Sequence, residues 1–220
     1  MVQIIPAVLA TSEQQYQEDI NKIASSESLK EGWVHIDFAD NIFVQNKTIE
    51  PEVINKFPTN LRKEAHLMVK HPSSPWIYEL EKADFSRVII HLESDTEDWI
   101  SSNLAYLGDQ GIETGLAINP ETKLEKALRF ENDIDLLMIL GVKPGLQGQQ
   151  FLPETLNRVK EAVRLFKNPT GSKIAVDGGV SNKNAKLLAD AGADILIVGS
   201  YLLTGDIGEN LENLWEVING

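Results

Sequence analysis

A histidine and an aspartate stand two residues apart where an apolar run ends, in Trp33-Val34-His35-Ile36-Asp37-Phe38. Side chains two apart on a strand share a face, so His35 and Asp37 project together, beyond Trp33, and set an imidazole beside a carboxylate. Such a pair is suited to holding a cation or moving a proton, although a lone His-x-Asp is also satisfied by a hydrogen bond within a fold. Three further residues extend the pattern. His66 lies in Glu64-Ala65-His66-Leu67-Met68, with Met68 on its face, and Asp177 follows the apolar run 172–176 and precedes two glycines. Taken singly, His66 reads as a hydrogen-bonded core histidine, Asp177 as a turn residue and Met68 as a core filler. Taken together, His35, Asp37, His66 and Asp177 are two imidazoles and two carboxylates, a mixed donor set that suits zinc, iron(II), manganese or cobalt.

The elements that must bring these residues together are short Ile-, Val- and Leu-rich runs separated by helical stretches. The runs cover residues 4–9, 33–38, 65–69, 87–92, 112–118, 134–140, 172–176 and 193–198, at a spacing of roughly 25 residues that favours a parallel sheet. A helix opens at Ser12, with Glu13 and Gln15 in its first turn, and Pro51 suits the start of another. Ser181 is a plausible N-cap for a helix over 184–191 that Gly192 ends, and a last helix runs from Gly199-Ser200 to about Ile218. Eight strand-helix units in 220 residues make a single domain over 1–220, an α/β (β/α)8 TIM barrel with short loops. A doubly wound open sheet is the alternative. In such a barrel the site is built at the C-terminal strand ends. His35 and Asp37 fall at the end of strand two, His66 and Met68 at the end of strand three, and Asp177 at the end of strand seven. Asp40 reads as a turn or cap residue of the loop after strand two. His91, at the end of strand four, reads either as a neighbour of the site or as a structural histidine.

The loops after strands seven and eight of these barrels often bind phosphate through glycine-exposed amides. Here they read Asp177-Gly178-Gly179 and Gly199-Ser200-Tyr201. The sixth loop, Lys143-Pro144-Gly145-Leu146-Gln147-Gly148-Gln149, has the composition of a lid. Met68, Gly145, Gly148, Gly178, Gly179, Gly199 and Ser200 are therefore the candidate substrate- and phosphate-binding residues.

Composition narrows the partners. A formal net charge of -13 and a pI near 4.7 argue against nucleic acid or an anionic membrane, both of which need a basic face. A phosphorylated small molecule remains compatible, because backbone amides bind phosphate whatever the global charge. The absence of cysteine removes disulfides, thiolate-bound zinc and thiol catalysis. The first ten residues lack the basic residues of a signal peptide, and no apolar run has the length to span a bilayer. The expected location is cytoplasmic.

The segments PAVLA, HIDFADNIFVQNKTI, HLMVKHP, GLAINPET, VKPGLQGQQFLPE, VDGGVSNKNAKLLADAGAD and VGSYLL occur in this order over nearly the whole chain. In order and spacing they resemble the ribulose-phosphate 3-epimerase family. The resemblance implies a barrel of the ribulose-phosphate-binding type, holding one divalent metal ion between His35, Asp37, His66 and Asp177 and using no organic cofactor. It further implies that Asp37 and Asp177 act as acid and base, that Gly178, Gly179, Gly199 and Ser200 hold the phosphate of a ketose substrate, and that the protein forms a homo-oligomer, a dimer or larger.

Several positions depart from the family pattern. Strand one has Ala7 where the family has Ser, and the usual Met-Asp-Gly after strand two is Ala39-Asp40-Asn41. Gln45 replaces a proline before Asn46, and the usual Met-Ser-Val-Asn-Pro-Gly-Phe-Gly-Gly-Gln of strand six and its loop is Leu140 to Gln149, with Leu146 and Gln147 at the Phe-Gly positions. Every charged position survives while the pocket around them changes. The leading reading is a metal-dependent epimerase interconverting ribulose 5-phosphate and xylulose 5-phosphate. A six-carbon ketose phosphate such as allulose 6-phosphate, for which Ala7 and Ala39 would make room, and a diverged sugar-phosphate-binding barrel with little turnover are the alternatives.

Overall fold

Eight parallel strands close on one another in chain order. They are β1 (Gln3–Val8), β2 (Trp33–Ala39), β3 (Arg62–Met68), β4 (Phe85–His91), β5 (Glu113–Ile118), β6 (Leu136–Leu140), β7 (Lys173–Asp177) and β8 (Ile195–Val198). The computed structural model describes residues 2–72, 74–146, 148–166 and 171–220, without the side chain of Ser74. Closure explains why the strands read as continuous apolar runs: both faces are covered, one by the barrel interior and one by the surrounding helices. Ile5, Ile89, Leu136, Met138, Ala175, Ile195 and Ile197 fill the interior, whereas Val34, Ile36, Phe38, Leu67, Val88 and Ile90 point outward into the layer beneath the helices.

The helices are α1 (Glu13–Ala24), α2 (Ser74–Lys82), α3 (Glu97–Asp109), α4 (Thr155–Phe166), α5 (Ala185–Asp190), α6 (Ser200–Leu203) and α7 (Ile207–Asn219). Ser12 caps α1 through its hydroxyl, which accepts from Gln15 N at 3.2 Å. Where the sequence suggests a helix opening at Pro51, residues Pro51–Lys56 form a 3-10 helix, as do Leu124–Phe130. In the β2–β3 connection, residues 40–50 form a loop that Asn46 ties to Gly145, and residues 51–61, the 3-10 helix included, bring the chain back to β3. Ser181 begins a turn and is not the cap of α5. Its carbonyl accepts from Asn184 N and Ala185 N, and Asn184 takes the cap position. The last helical stretch is broken at residues 204–206, where Gly205 has φ +82° and Asp206 caps α7 by accepting from Glu209 N at 2.9 Å.

The most consequential difference from the sequence reading is at β3, which begins at Arg62 and not at Ala65. Arg62-Lys63-Glu64 looks like a loop by hydropathy. It is strand because Glu64 enters the barrel interior against a cation from the next strand.

Candidate active site

Register sets the first contact. Asp37 of β2 pairs with His66 of β3, and the His66 Nδ1 atom lies 2.8 Å from Asp37 Oδ1. Asp177, at the end of β7, brings Oδ2 to 3.7 Å from the same nitrogen. His35 sits one step lower, fully buried, with Nε2 3.3 Å from Asp37 Oδ1. One donor atom from each of His35, Asp37, His66 and Asp177 thus lies within 4.8 Å of the other three. His35 Nε2 approaches Asp37 without making a hydrogen bond and, among the described residues, has no hydrogen-bond partner. A buried nitrogen left unsatisfied beside two carboxylates is what a cation would complete, and the two-nitrogen, two-oxygen set fits a divalent ion of the zinc, iron(II), manganese or cobalt kind.

The charges in the cluster push its members apart. Burial favours a neutral imidazole at His35, but the Asp37 and Glu64 carboxylates outweigh it and hold the group well above its ordinary range. Burial likewise opposes the Asp37 carboxylate, yet the two imidazoles overcome it and hold Asp37 well below the usual carboxylate range. Asp177 goes the other way. Burial first, and then the Asp37 charge, push it up to about 6. The cluster as a whole therefore attracts positive charge.

Each imidazole is supported from behind. His35 Nδ1 faces Glu64 Oε1 at 2.7 Å, and the other oxygen of Glu64 accepts from Arg87 Nη1 at 2.5 Å. His66 Nε2 meets His91 Nε2 at 2.8 Å, and His91 Nδ1 points at Glu93 Oε2 at 3.4 Å. His91, whose role the sequence leaves open, is therefore in direct contact with the cluster. Burial pushes its imidazole down to about 4, against the hydrogen bond to Glu93 that works to raise it. Glu64 and Arg87 are absent from the sequence-derived candidates. The signal was present in the case of Glu64, two residues before His66 and hence on its face.

The cluster opens into one cleft. Asp37, His66 and Asp177 reach its wall together with Met68, Gly145, Gly148, Gly178, Gly179, Gly199 and Ser200. Of the sequence candidates only His35 stays behind the wall. Gly178 and Gly179 have φ of +98° and +68°, and a Cβ on Gly179 would stand 3.0 Å from Phe151. Backbone shape and close packing both require glycine at this turn. Ala7 and Leu140 line the cleft, but Ala39 does not. Ala39 packs with Leu9, Val44 and Met68 beside Phe43, so it makes no room for substrate.

The mouth is held by hydrogen bonds among its loops. Asp40 does act as a turn residue: Oδ1 accepts from Ile42 N and Phe43 N, each at 2.8 Å, while Oδ2 accepts from Lys70 N of the next loop at 2.7 Å. Asn41 takes φ +61°, a conformation that asparagine tolerates better than other residues with a side chain. Asn46 Nδ2 donates to Gly145 O at 2.8 Å and so ties the second loop to the sixth. Gln147, one of the departures in that loop, lies outside the described residues.

Comparison with known proteins gives one consistent result. A family model described as the ribulose-phosphate 3 epimerase family matches residues 3–203. The ribulose-phosphate 3-epimerase of Chlamydia pneumoniae is 35% identical over 79% of this chain and 77% of its own length. That of Schizosaccharomyces pombe is 33% identical over 99% and 91%. Among solved structures, 3-hexulose-6-phosphate synthase from Salmonella typhimurium superposes with a TM-score of 0.72 over 99% of both chains at 16% identity, a likeness of fold alone. Among the described residues no helix is long and apolar enough to cross a membrane.

Proposed function

From the premise that this chain belongs to the ribulose-phosphate 3-epimerase family and is an epimerase of the isomerase class, we propose that it interconverts ribulose 5-phosphate and xylulose 5-phosphate, with a divalent metal ion held by His35, Asp37, His66 and Asp177. The observation that carries this reading is the meeting of two carboxylates from well-separated strands, β2 and β7, with the His66 imidazole in the wall of one cleft and the His35 imidazole just behind it. A bound ion would supply positive charge beside the oxygens on which negative charge develops when carbon three loses its proton.

The chain's own residues do the rest. A carboxylate oxygen of Asp37 or Asp177 removes the proton from carbon three on one face of the sugar. The other aspartate delivers a proton to the opposite face, and the configuration inverts without an organic cofactor. Asp37 is buried and Asp177 is largely shielded, which limits the access of bulk water to the proton in transit. Amides at Gly178, Gly179 and Gly199 and the Ser200 hydroxyl anchor the phosphate, while Met68 packs against the carbon chain and Gly145 and Gly148 border it. A homo-oligomer in the cytoplasm belongs to the same reading.

A six-carbon ketose phosphate is the second reading, favoured by Ala7, which presents a methyl group to the cleft. Incubating metal-loaded protein with ribulose 5-phosphate in deuterated water tests both. Deuterium at carbon three with formation of xylulose 5-phosphate, both abolished by chelation, is expected. Exchange on the six-carbon substrate alone would select the second reading. Binding of both sugars without exchange on either would leave a sugar-phosphate-binding barrel.

A further inference from the structure

Arg87 is among the largest wholly buried side chains of the protein, at 1% exposure, and the reaction makes no direct use of it. It lies in the lower half of the barrel, away from the cleft. Four charged or ionisable residues are register partners across four consecutive strands: His35 with Glu64, Glu64 with Arg87, and Arg87 with Glu113. Their side chains touch in the same order. His35 Nδ1 lies 2.7 Å from Glu64 Oε1, Arg87 Nη1 donates to Glu64 Oε2 at 2.5 Å, and Arg87 Nε donates to Glu113 Oε2 at 3.0 Å. The guanidinium also stacks on Trp33, 4.3 Å from the ring centroid.

We propose that Arg87 is a positioning residue for the metal ligand His35, acting through Glu64 from the closed end of the barrel. A carboxylate only accepts hydrogen bonds, so the His35 nitrogen facing Glu64 carries the proton and the opposite nitrogen, Nε2, presents its lone pair to the cluster. That outcome requires Glu64 to hold one orientation. Glu64 is fully buried, and a carboxylate there without a cation would be strongly disfavoured. Arg87 supplies the charge and occupies the second oxygen, while Glu113 and the Trp33 face fix the guanidinium in turn. A planar fork anchored on two sides is a stiffer support than an ammonium on a flexible stem.

This inference rests on the proposed metal site, and titration with Co2+ separates the two. Wild-type protein, freed of metal by chelation, should bind one Co2+ with a visible absorption band of low-symmetry coordination. Absence of binding would remove both readings. Arg87→Met should weaken Co2+ binding by about 10- to 100-fold and alter the band, and Arg87→Lys should recover part of the affinity. Should Arg87→Met not fold, the double variant Glu64→Gln with Arg87→Met removes both buried charges together and leaves a core without an unpaired ion. It should fold and show the same weakened binding. Wild-type affinity and an unchanged band in either folded variant would overturn the role of Arg87 while leaving the metal site standing.

Discussion

His66 and His91 meet Nε2 to Nε2 at 2.8 Å, so one ring must donate and the other accept. The remaining nitrogens decide which. His66 Nδ1 faces Asp37 and Asp177, where the proposed metal site needs a lone pair, and in that role the proton belongs on Nε2. His91 then accepts through Nε2 and donates from Nδ1 toward Glu93. Replacing His91 by Leu strands a buried N–H, at about 1–3 kcal/mol of stability. Metal affinity should fall by about tenfold or more. His91→Gln, which retains an acceptor, should lose less of both. Urea unfolding and competition with a chromogenic chelator measure the two effects, and equal affinities in both variants would contradict this assignment.

Asp40 organises the mouth without reaching the cluster. Its three hydrogen bonds from Ile42, Phe43 and Lys70 hold together the loops after β2 and β3, and the first of these loops carries Asn46 to Gly145. Asp40→Ala should cost about 1–2 kcal/mol, at the lower end for bonds to a charged group because part of the loop is exposed. The KM for ketose phosphate should rise more than kcat falls, since the tether of the sixth loop is loosened while the proposed metal ligands keep their contacts. A fall confined to kcat would place Asp40 in the chemistry.

What was legible in the sequence follows from alternation and from the barrel rule. The parity of a strand puts His35 with Asp37 and His66 with Met68, and closure of eight units brings Asp177 to the same end. These steps need only local sequence and a fold class. Arg87 was not legible in that way, and parity alone puts Glu64 on the face of His66 without showing what it meets there. Glu64 falls just before the apolar run 65–69, where hydropathy suggests loop, Arg87 opens the run 87–92 as a charged residue with no visible partner, and their pairing depends on the register of β3 against β4. Ala39 shows the same limit. Which way a strand-end residue packs depends on the loop above it, and here Phe43 and Val44 cover it. Pro51 signals the start of a helix but not its type.

Two glycines give opposite expectations. Gly179 has φ +68° and would place a Cβ 3.0 Å from Phe151, so Gly179→Ala combines left-handed strain with a clash and should cost about 1–3 kcal/mol. Binding of the phosphorylated substrate should weaken with it. Gly108, exposed in α3, has nothing within 4 Å of an added Cβ, and Gly108→Ala should stabilise by about 0.5–1 kcal/mol with unchanged activity. Thermal unfolding of the two variants distinguishes a glycine required by its turn from one that is not.

Ala7 lies in register with His35 and lines the cleft beside Asp37. The family places a serine hydroxyl there. Ala7→Ser should raise kcat on ribulose 5-phosphate, because it restores a polar group near the reacting carbons in a site that already has its charged residues. A lower rate on the five-carbon sugar, together with a lower rate on a six-carbon one, would mean that the cleft is fitted to a methyl group at this position.

Asp177 separates binding from turnover. Its carboxylate is the more exposed of the pair, at 18% against 9% for Asp37, and it lies next to the Gly178-Gly179 turn proposed to anchor phosphate. Asp177→Asn keeps the size and one oxygen donor, so the barrel should stay folded and some metal should remain. What it removes is the group proposed to accept or deliver a proton on one face of the sugar. Epimerisation should therefore fall by about 10³-fold or more while ketose phosphate still binds within about tenfold of wild type. The two faces also predict an asymmetry. If Asp177 serves the face from which one epimer loses its proton, the variant should still exchange deuterium into the other epimer, through Asp37, without forming product. Loss of exchange from both epimers with metal still bound would show that the two aspartates do not divide the faces, and the two-carboxylate mechanism would have to be abandoned.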